Sequence, residues 1–195
     1  MRKNIIFLLA MFGCLLFWGQ PILAANSTIP SEGDVLPEIT LSVPQNTNEK
    51  DYLGIKEKDA FKVSQIKARI VILEVFSMYC PYCQKEAPLV NELYQIINER
   101  PALKGKIKII GIGAGNNPFE VEVFKNKYNI PFPLFPDASF SIHKSVGEVR
   151  TPYFFVIKIN VDGSHKILYS KTGSIQDPNQ FLNSILKIAG LKEEG

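Results

Sequence analysis

Residues 69–76 read Arg-Ile-Val-Ile-Leu-Glu-Val-Phe, and a short step beyond Phe76 stand two cysteines, Cys80 and Cys83. A run this apolar does not alternate, so both faces of the strand it forms must be covered, as at the centre of an α/β sheet. Its single acid is Glu74. Past Cys83, Leu89, Val90, Leu93, Ile96 and Ile97 recur at helical spacing and predict a helix to about Glu99, with one side facing a core. Pro88 lies inside that helix and is expected to kink it. A buried strand therefore ends, and a helix begins, at a pair of thiols.

The rest of the chain extends this pattern. Residues 106–113 (KIKIIGIG) read as a second buried strand, and residues 117–129 as a helix with Asn117 as cap and Pro118 at its first position. After FPLFPD (132–137) comes a short helix near Ser139 to Val146. Two apolar segments then flank Asp162-Gly163, a strong hairpin signal. A last helix spans Pro178 to Ala189, capped by Asp177. The order βαβα followed by ββα predicts an α/β fold with a central mixed β-sheet flanked by helices. Residues 26–58 are more polar and proline-dotted, with one strand candidate at LPEITLSV (36–43), and read as an N-terminal extension to a domain over 59–190.

The first 25 residues have a different character. Arg2 and Lys3 precede an apolar run from Ile5 to Trp18 and a small-residue exit near Ala24 and Ala25, the pattern of a secretory signal peptide or an N-terminal membrane anchor. Cleavage would lower the formal charge from +3 to +1. Cys14 lies in this segment, and lipidation there stays open as an alternative. The expected location is periplasmic or otherwise extracytoplasmic, soluble or anchored to the inner membrane. Charges are nearly balanced, 22 basic against 19 acidic, without a long like-charge run, so no nucleic-acid partner is expected.

Three chemistries compete for Cys80-Pro81-Tyr82-Cys83. Structural zinc needs a second pair of ligands, and His143 and His165 do not form one, so no metal is expected and both histidines read as ordinary residues. A structural disulfide closing so short a loop removes little unfolded-state entropy. Redox exchange has a positive argument: the first sulfur faces unpaired N–H groups at the positive end of a helix, which stabilises a thiolate.

Residues 71–88 (VILEVFSMYCPYCQKEAP) resemble the active-site segment of the thioredoxin-like superfamily. Glu74 stands six positions before the first cysteine, where thioredoxins carry a buried acid. Pro88 stands five after the second cysteine, and Thr151-Pro152 stands where the family carries a cis-proline facing the disulfide. The resemblance covers the chain from about Val35 to Ala189. The leader, GDVLPEITL, residues 61–76 and PFPLFPD are most similar to the TlpA/ResA-type extracytoplasmic thiol-disulfide oxidoreductases, a redoxin branch related to AhpC/TSA proteins. Tyr79 replaces the usual tryptophan, and the Pro-Tyr dipeptide is shared with glutaredoxins.

What the resemblance implies is a thioredoxin-like fold and a redox-active Cys80–Cys83 disulfide with no other cofactor. Cys80 attacks a protein disulfide, Cys83 resolves the mixed disulfide, and Glu74, through water, takes the proton from Cys83. Thr151 and Pro152 align the partner chain, and Pro81 and Tyr82 tune potential and partner choice; Arg150 reads as a surface residue. The implied task is reduction of protein disulfides, with cytochrome c maturation as one candidate, fed by a membrane thiol transporter. Two other readings stay open. A peroxiredoxin-like thiol peroxidase would match Ser77 three before Cys80, although Leu73 occupies the place of its proline. A non-catalytic binding module would keep only the fold.

Overall fold

The computed structural model describes residues 28–191; the leader and Cys14 lie outside the described residues. Seven strands and five α-helices follow one another: β1 (Thr40–Ser42), α1 (Thr47–Leu53), β2 (Ala60–Lys62), β3 (Ile70–Phe76), α2 (Pro81–Glu99), β4 (Ile107–Ala114), α3 (Pro118–Tyr128), β5 (Leu134–Asp137), α4 (Ser141–Ser145), β6 (Tyr153–Ile159), β7 (His165–Thr172) and α5 (Pro178–Ala189). Five strands make one sheet in the order β5-β4-β3-β6-β7. β3 pairs in parallel with β4 and β4 with β5, while β6 and β7 run antiparallel. The mixed sheet expected from the element order is present, and β3 is its central strand.

All seven residues of β3 and all eight of β4 are buried, because each strand has neighbours on both edges and a layer on both faces. One layer is α2, α3 and α5, packed on Ile70, Ile72, Phe76, Ile107 and Ile109. The opposite layer is built largely by residues before β3. Leu36, Ile39, Leu41, Leu53 and Ile55 are buried there together with Val71, Leu73, Val75, Ile110 and Ile112. Burying each such aliphatic side chain stabilises the fold by about 1.5–3 kcal/mol, so this lead-in supplies a large share of the second core.

Strands and helices end where the sequence signals them. Asn117 caps α3 in a reciprocal box with Glu120, Asp177 caps α5, and left-handed Asn129 and Gly190 close those helices. The β6–β7 hairpin turns at Asn160–Ser164 with Gly163 at φ 82°. Helix α2 runs through Pro88, with Val90, Leu93 and Ile97 on its buried side.

Three features differ from the sequence reading. Of LPEITLSV only Thr40–Ser42 is a strand, and it pairs with β2 in a separate two-stranded sheet rather than with the main one. FPLFPD contains β5, whose prolines discourage a strand assignment; an edge strand tolerates Pro136 because one side of its backbone needs no ladder bonds. The polar stretch near residue 50 forms α1, capped by Asn46 and closed by Gly54. Its Tyr52 hydroxyl accepts the Ile109 N–H at 2.7 Å, on the part of β4 that β5 does not reach. α1 is also tied to α3 by the Glu49–Lys125 ion pair.

Candidate active site

The C-terminal end of β3 delivers the chain through Ser77, Met78 and Tyr79 to Cys80, which is the N-cap of α2. Pro81 occupies the first helical position, where a missing N–H costs nothing and φ is already helical. One turn in, Cys83 is wholly buried, whereas Cys80 is partly exposed. Both are free thiols. The Cys80 sulfur lies 3.4 Å from the Thr151 carbonyl oxygen, and the Thr151-Pro152 peptide bond is cis. The two segments that the sequence separates by some seventy residues thus meet at one sulfur atom.

The two thiols titrate in opposite directions. Partial burial pushes Cys80 up, but the Thr151 side chain, the Cys83 amide and thiol, and the Tyr82 amide together hold it below the ordinary thiol value. These amides belong to the first turn of α2, as the cap argument requires. Cys83 is pushed well above the ordinary range, chiefly by burial, with the Glu74 charge acting in the same direction. A thiolate therefore forms at Cys80 first, and Cys83 stays protonated behind it.

Glu74 is 4% exposed, paired in the sheet with Gly111 on one side and Phe154 on the other. Burial pushes its carboxyl up to about 8, and the charges of Glu86 and Cys80 add to the effect. Glu86 is a residue the sequence reading passed over. It sits on the buried side of α2, one turn after Cys83, and accepts the Ile175 N–H at 2.7 Å. Its position three residues after Cys83, among apolar neighbours at helical spacing, was a usable signal, because a charge on the buried stripe of a helix demands a partner.

Glu86 also lines a cavity of about 450 Å³ beside Cys80, with Tyr82, Leu89, Thr151, Pro152 and Thr172. Lys85 and Arg150 stand exposed at its margin. Tyr82 is 71% exposed at the lip of this cavity. Tyr79 lies on the other side of Cys80, where its hydroxyl donates to Glu120 of α3. Of the residues singled out in the sequence, the fold brings Cys80, Cys83, Glu74, Thr151, Pro152, Pro81 and Tyr82 to this one end of the sheet. His143 and His165 are elsewhere, bonded to the carbonyls of Val149 and Leu36.

Comparison with known proteins bears on the family and the fold. The model of the AhpC/TSA family matches residues 33–168. The chain belongs to that family. Among curated proteins it is similar to the thiol-disulfide oxidoreductase ResA of Geobacillus thermodenitrificans, 27% identical over 64% of this chain and 67% of the relative. It is also similar to the ResA of Bacillus thuringiensis subsp. konkukian, 31% identical over 52% of this chain and 56% of the relative. The chain thus spans little more than half the length of some of the curated relatives it matches. Among solved structures, a candidate thiol:disulfide interchange protein DsbE from Chlorobium tepidum superposes with a TM-score of 0.62 over 83% of this chain and 99% of that one, at 16% identity. The thioredoxin-like fold expected from the motif is the fold observed. No helix among the described residues is long and apolar enough to cross a membrane.

Proposed function

We propose that this protein is a thiol–disulfide oxidoreductase that reduces protein disulfides outside the cytoplasm, through Cys80 and Cys83. The observation that carries the reading is the asymmetry of the pair: an accessible thiol held low at a helix N-terminus, against Thr151-Pro152, and a buried thiol held high next to a buried acid.

The Cys80 thiolate attacks one sulfur of a substrate disulfide. A Cys80–substrate bond forms, the substrate S–S bond breaks, and the other substrate sulfur leaves as a thiolate. That step removes the Cys80 charge, one of the influences that keep Glu74 protonated. Glu74 then gives up its proton more readily, to the first departing substrate thiolate by way of water, and its carboxylate accepts the proton of Cys83 through a water. The Cys83 thiolate attacks the Cys80 sulfur, the Cys80–Cys83 disulfide closes, and the second substrate thiolate departs. Two electrons have moved to the substrate. Thr151 and Pro152 align the partner chain beside Cys80, with Tyr82 and the adjoining cavity receiving its side chains.

Regeneration needs an external dithiol, and an extracytoplasmic compartment holds no reducing pool, so a membrane thiol transporter is the donor we assign. The ResA name of the relatives and the basic-then-apolar leader support this placement. Cytochrome c maturation, in which haem-attachment cysteines must be reduced, is the task that fits such a reductase. The test is the potential of the Cys80–Cys83 couple, equilibrated against defined thiol buffers. A value toward the reducing end, about −270 mV, supports a reductase, whereas one near the oxidising end, about −120 mV, overturns that direction. Rapid peroxide turnover by the same preparation would replace the assignment with a thiol peroxidase.

A further inference from the structure

The two residues before Cys80 are held by a part of the chain almost forty positions away. The turn between β4 and α3 is firmly built: Gly115 has φ 68°, and the Phe140 ring fills the space where a side chain would project. The Gly115 N–H donates to Asp137 O and the Asn116 N–H to Gly113 O, both at 3.0 Å. This turn presents Asn116, wholly buried, whose Oδ1 accepts the Met78 N–H at 2.8 Å. The Met78 carbonyl accepts from Gln84 Nε2, also at 2.8 Å. Both backbone polar groups of Met78 are thereby committed to side chains.

Tyr79 is held next. Glu120 Oε2 accepts the Asn117 N–H at 2.8 Å, and the Glu120 N–H donates to Asn117 Oδ1 at 3.0 Å, so this carboxylate is fixed by its own helix. Its other oxygen takes the Tyr79 hydroxyl. Tyr79 is 65% exposed, so core packing does not explain its placement. The buried Asn116 Nδ2 has no partner of good hydrogen-bond geometry, yet its side chain is close enough to Glu120 to help hold that carboxyl below its usual value, so Asn116 touches both the Met78 backbone and the carboxylate that takes Tyr79. An aspartate would accept the Met78 N–H with no such orphan, but would set a second carboxylate beside Glu120.

We propose that Asn116 and Glu120 are positioning residues for the redox centre: they fix Met78 and Tyr79 so that the Cys80 sulfur keeps its place against the Tyr82 and Cys83 amides and Thr151. The proposal rests on Cys80 being the attacking thiol. Hydrogen bonds to a thiolate weaken steeply with small changes of distance and angle, so releasing the preceding residue weakens the attack of the next one. The groups that face Cys80 directly are Thr151, the Tyr82 amide, the Cys83 amide and thiol, and the Glu74 charge, and none of them is altered by changes at 79, 116 or 120.

The experiment follows the alkylation of Cys80 in the reduced full chain against pH, read by peptide mass, alongside thermal unfolding. Asn116→Ala is expected to slow alkylation at pH 7 about 5- to 10-fold, with its pH midpoint moved up by about 0.7–1 unit. Tyr79→Phe, an exposed change that leaves folding intact, is expected to move both in the same direction, slowing alkylation about twofold. If the variants fold, melt lower or unchanged, and keep the wild-type midpoint, the positioning role is overturned. Should Asn116→Ala fail to fold, Tyr79→Phe and Glu120→Ala decide the matter on the same readout. A wild-type protein that cannot reduce insulin disulfides breaks the functional reading instead, whereas an active wild type with unmoved variants breaks this proposal only.

Discussion

The outer and inner ends of the Cys80–Cys83 turn sit in opposite surroundings. Around Cys80 the chain supplies amides, a hydroxyl and an opening to solvent, all of which favour negative charge. Around Cys83 it supplies Val90-side core, Glu74 and no solvent, all of which oppose it. One helical turn is enough to hold one thiol low and the other high. The difference teaches that placement alone can set the proposed order of attack, since the two side chains are chemically identical.

The sharpest way to break this comparison is to remove one sulfur at a time. Cys80→Ser is expected to abolish disulfide reduction, while Cys83→Ser is expected to attack normally and accumulate a mixed disulfide with substrate, visible as a mass adduct under non-reducing conditions. Equal, complete inactivity without adducts in both variants would contradict the assigned order.

Glu74→Gln tests the inner end. With its acid–base partner gone, resolution of the mixed disulfide is expected to slow about 10²-fold, measured by single-turnover release of substrate thiol, with the first attack little changed. The same variant has a stability signature. A carboxyl raised in the folded state to about 8 from its usual 4.5 favours folding below the lower value, and that contribution is lost as pH rises through the window. Wild type should therefore lose stability as pH rises between those values, and Glu74→Gln should lose less. Denaturant titrations across that range decide it.

Smaller effects sharpen the picture at the cavity. Glu86→Leu removes the acceptor of a buried Ile175 N–H and is expected to cost about 1–3 kcal/mol in urea unfolding. Tyr82→Ala, on the exposed lip, is expected to change stability by less than about 0.5 kcal/mol yet raise KM for a protein disulfide several-fold. A matching loss in kcat with unchanged KM would place Tyr82 outside the partner contact.

Much of this was legible in the sequence because local signals agreed. Strands β3 and β4, helices α2, α3 and α5, the hairpin and the CxxC announced themselves through periodicity, caps and turn residues. Glu74 stood out as a charge within an apolar strand. Glu86 stood out less, because on a helix an acid every few residues is ordinary, and its inward direction shows only when its spacing from Cys83, Val90 and Leu93 is counted around the helix. Asn116 and Glu120 were invisible for a different reason: their partners, Met78 and Tyr79, are distant in sequence. β5 was masked by its prolines, and α1 by polar composition that conceals a single deeply buried Leu53.

Tyr52 of α1 bears on handling as much as on architecture. By occupying the stretch of β4 that β5 leaves open, it blunts a strand edge that could otherwise template pairing with another molecule. A fragment begun at residue 59 would retain Cys80, Cys83, Glu74 and Glu86 and yet bare that edge together with the apolar surface that Leu36, Ile39, Leu41, Val43, Leu53 and Ile55 cover in the second core. Such a fragment would be prone to self-association and precipitation, so the segment before β2 acts as a built-in guard of solubility.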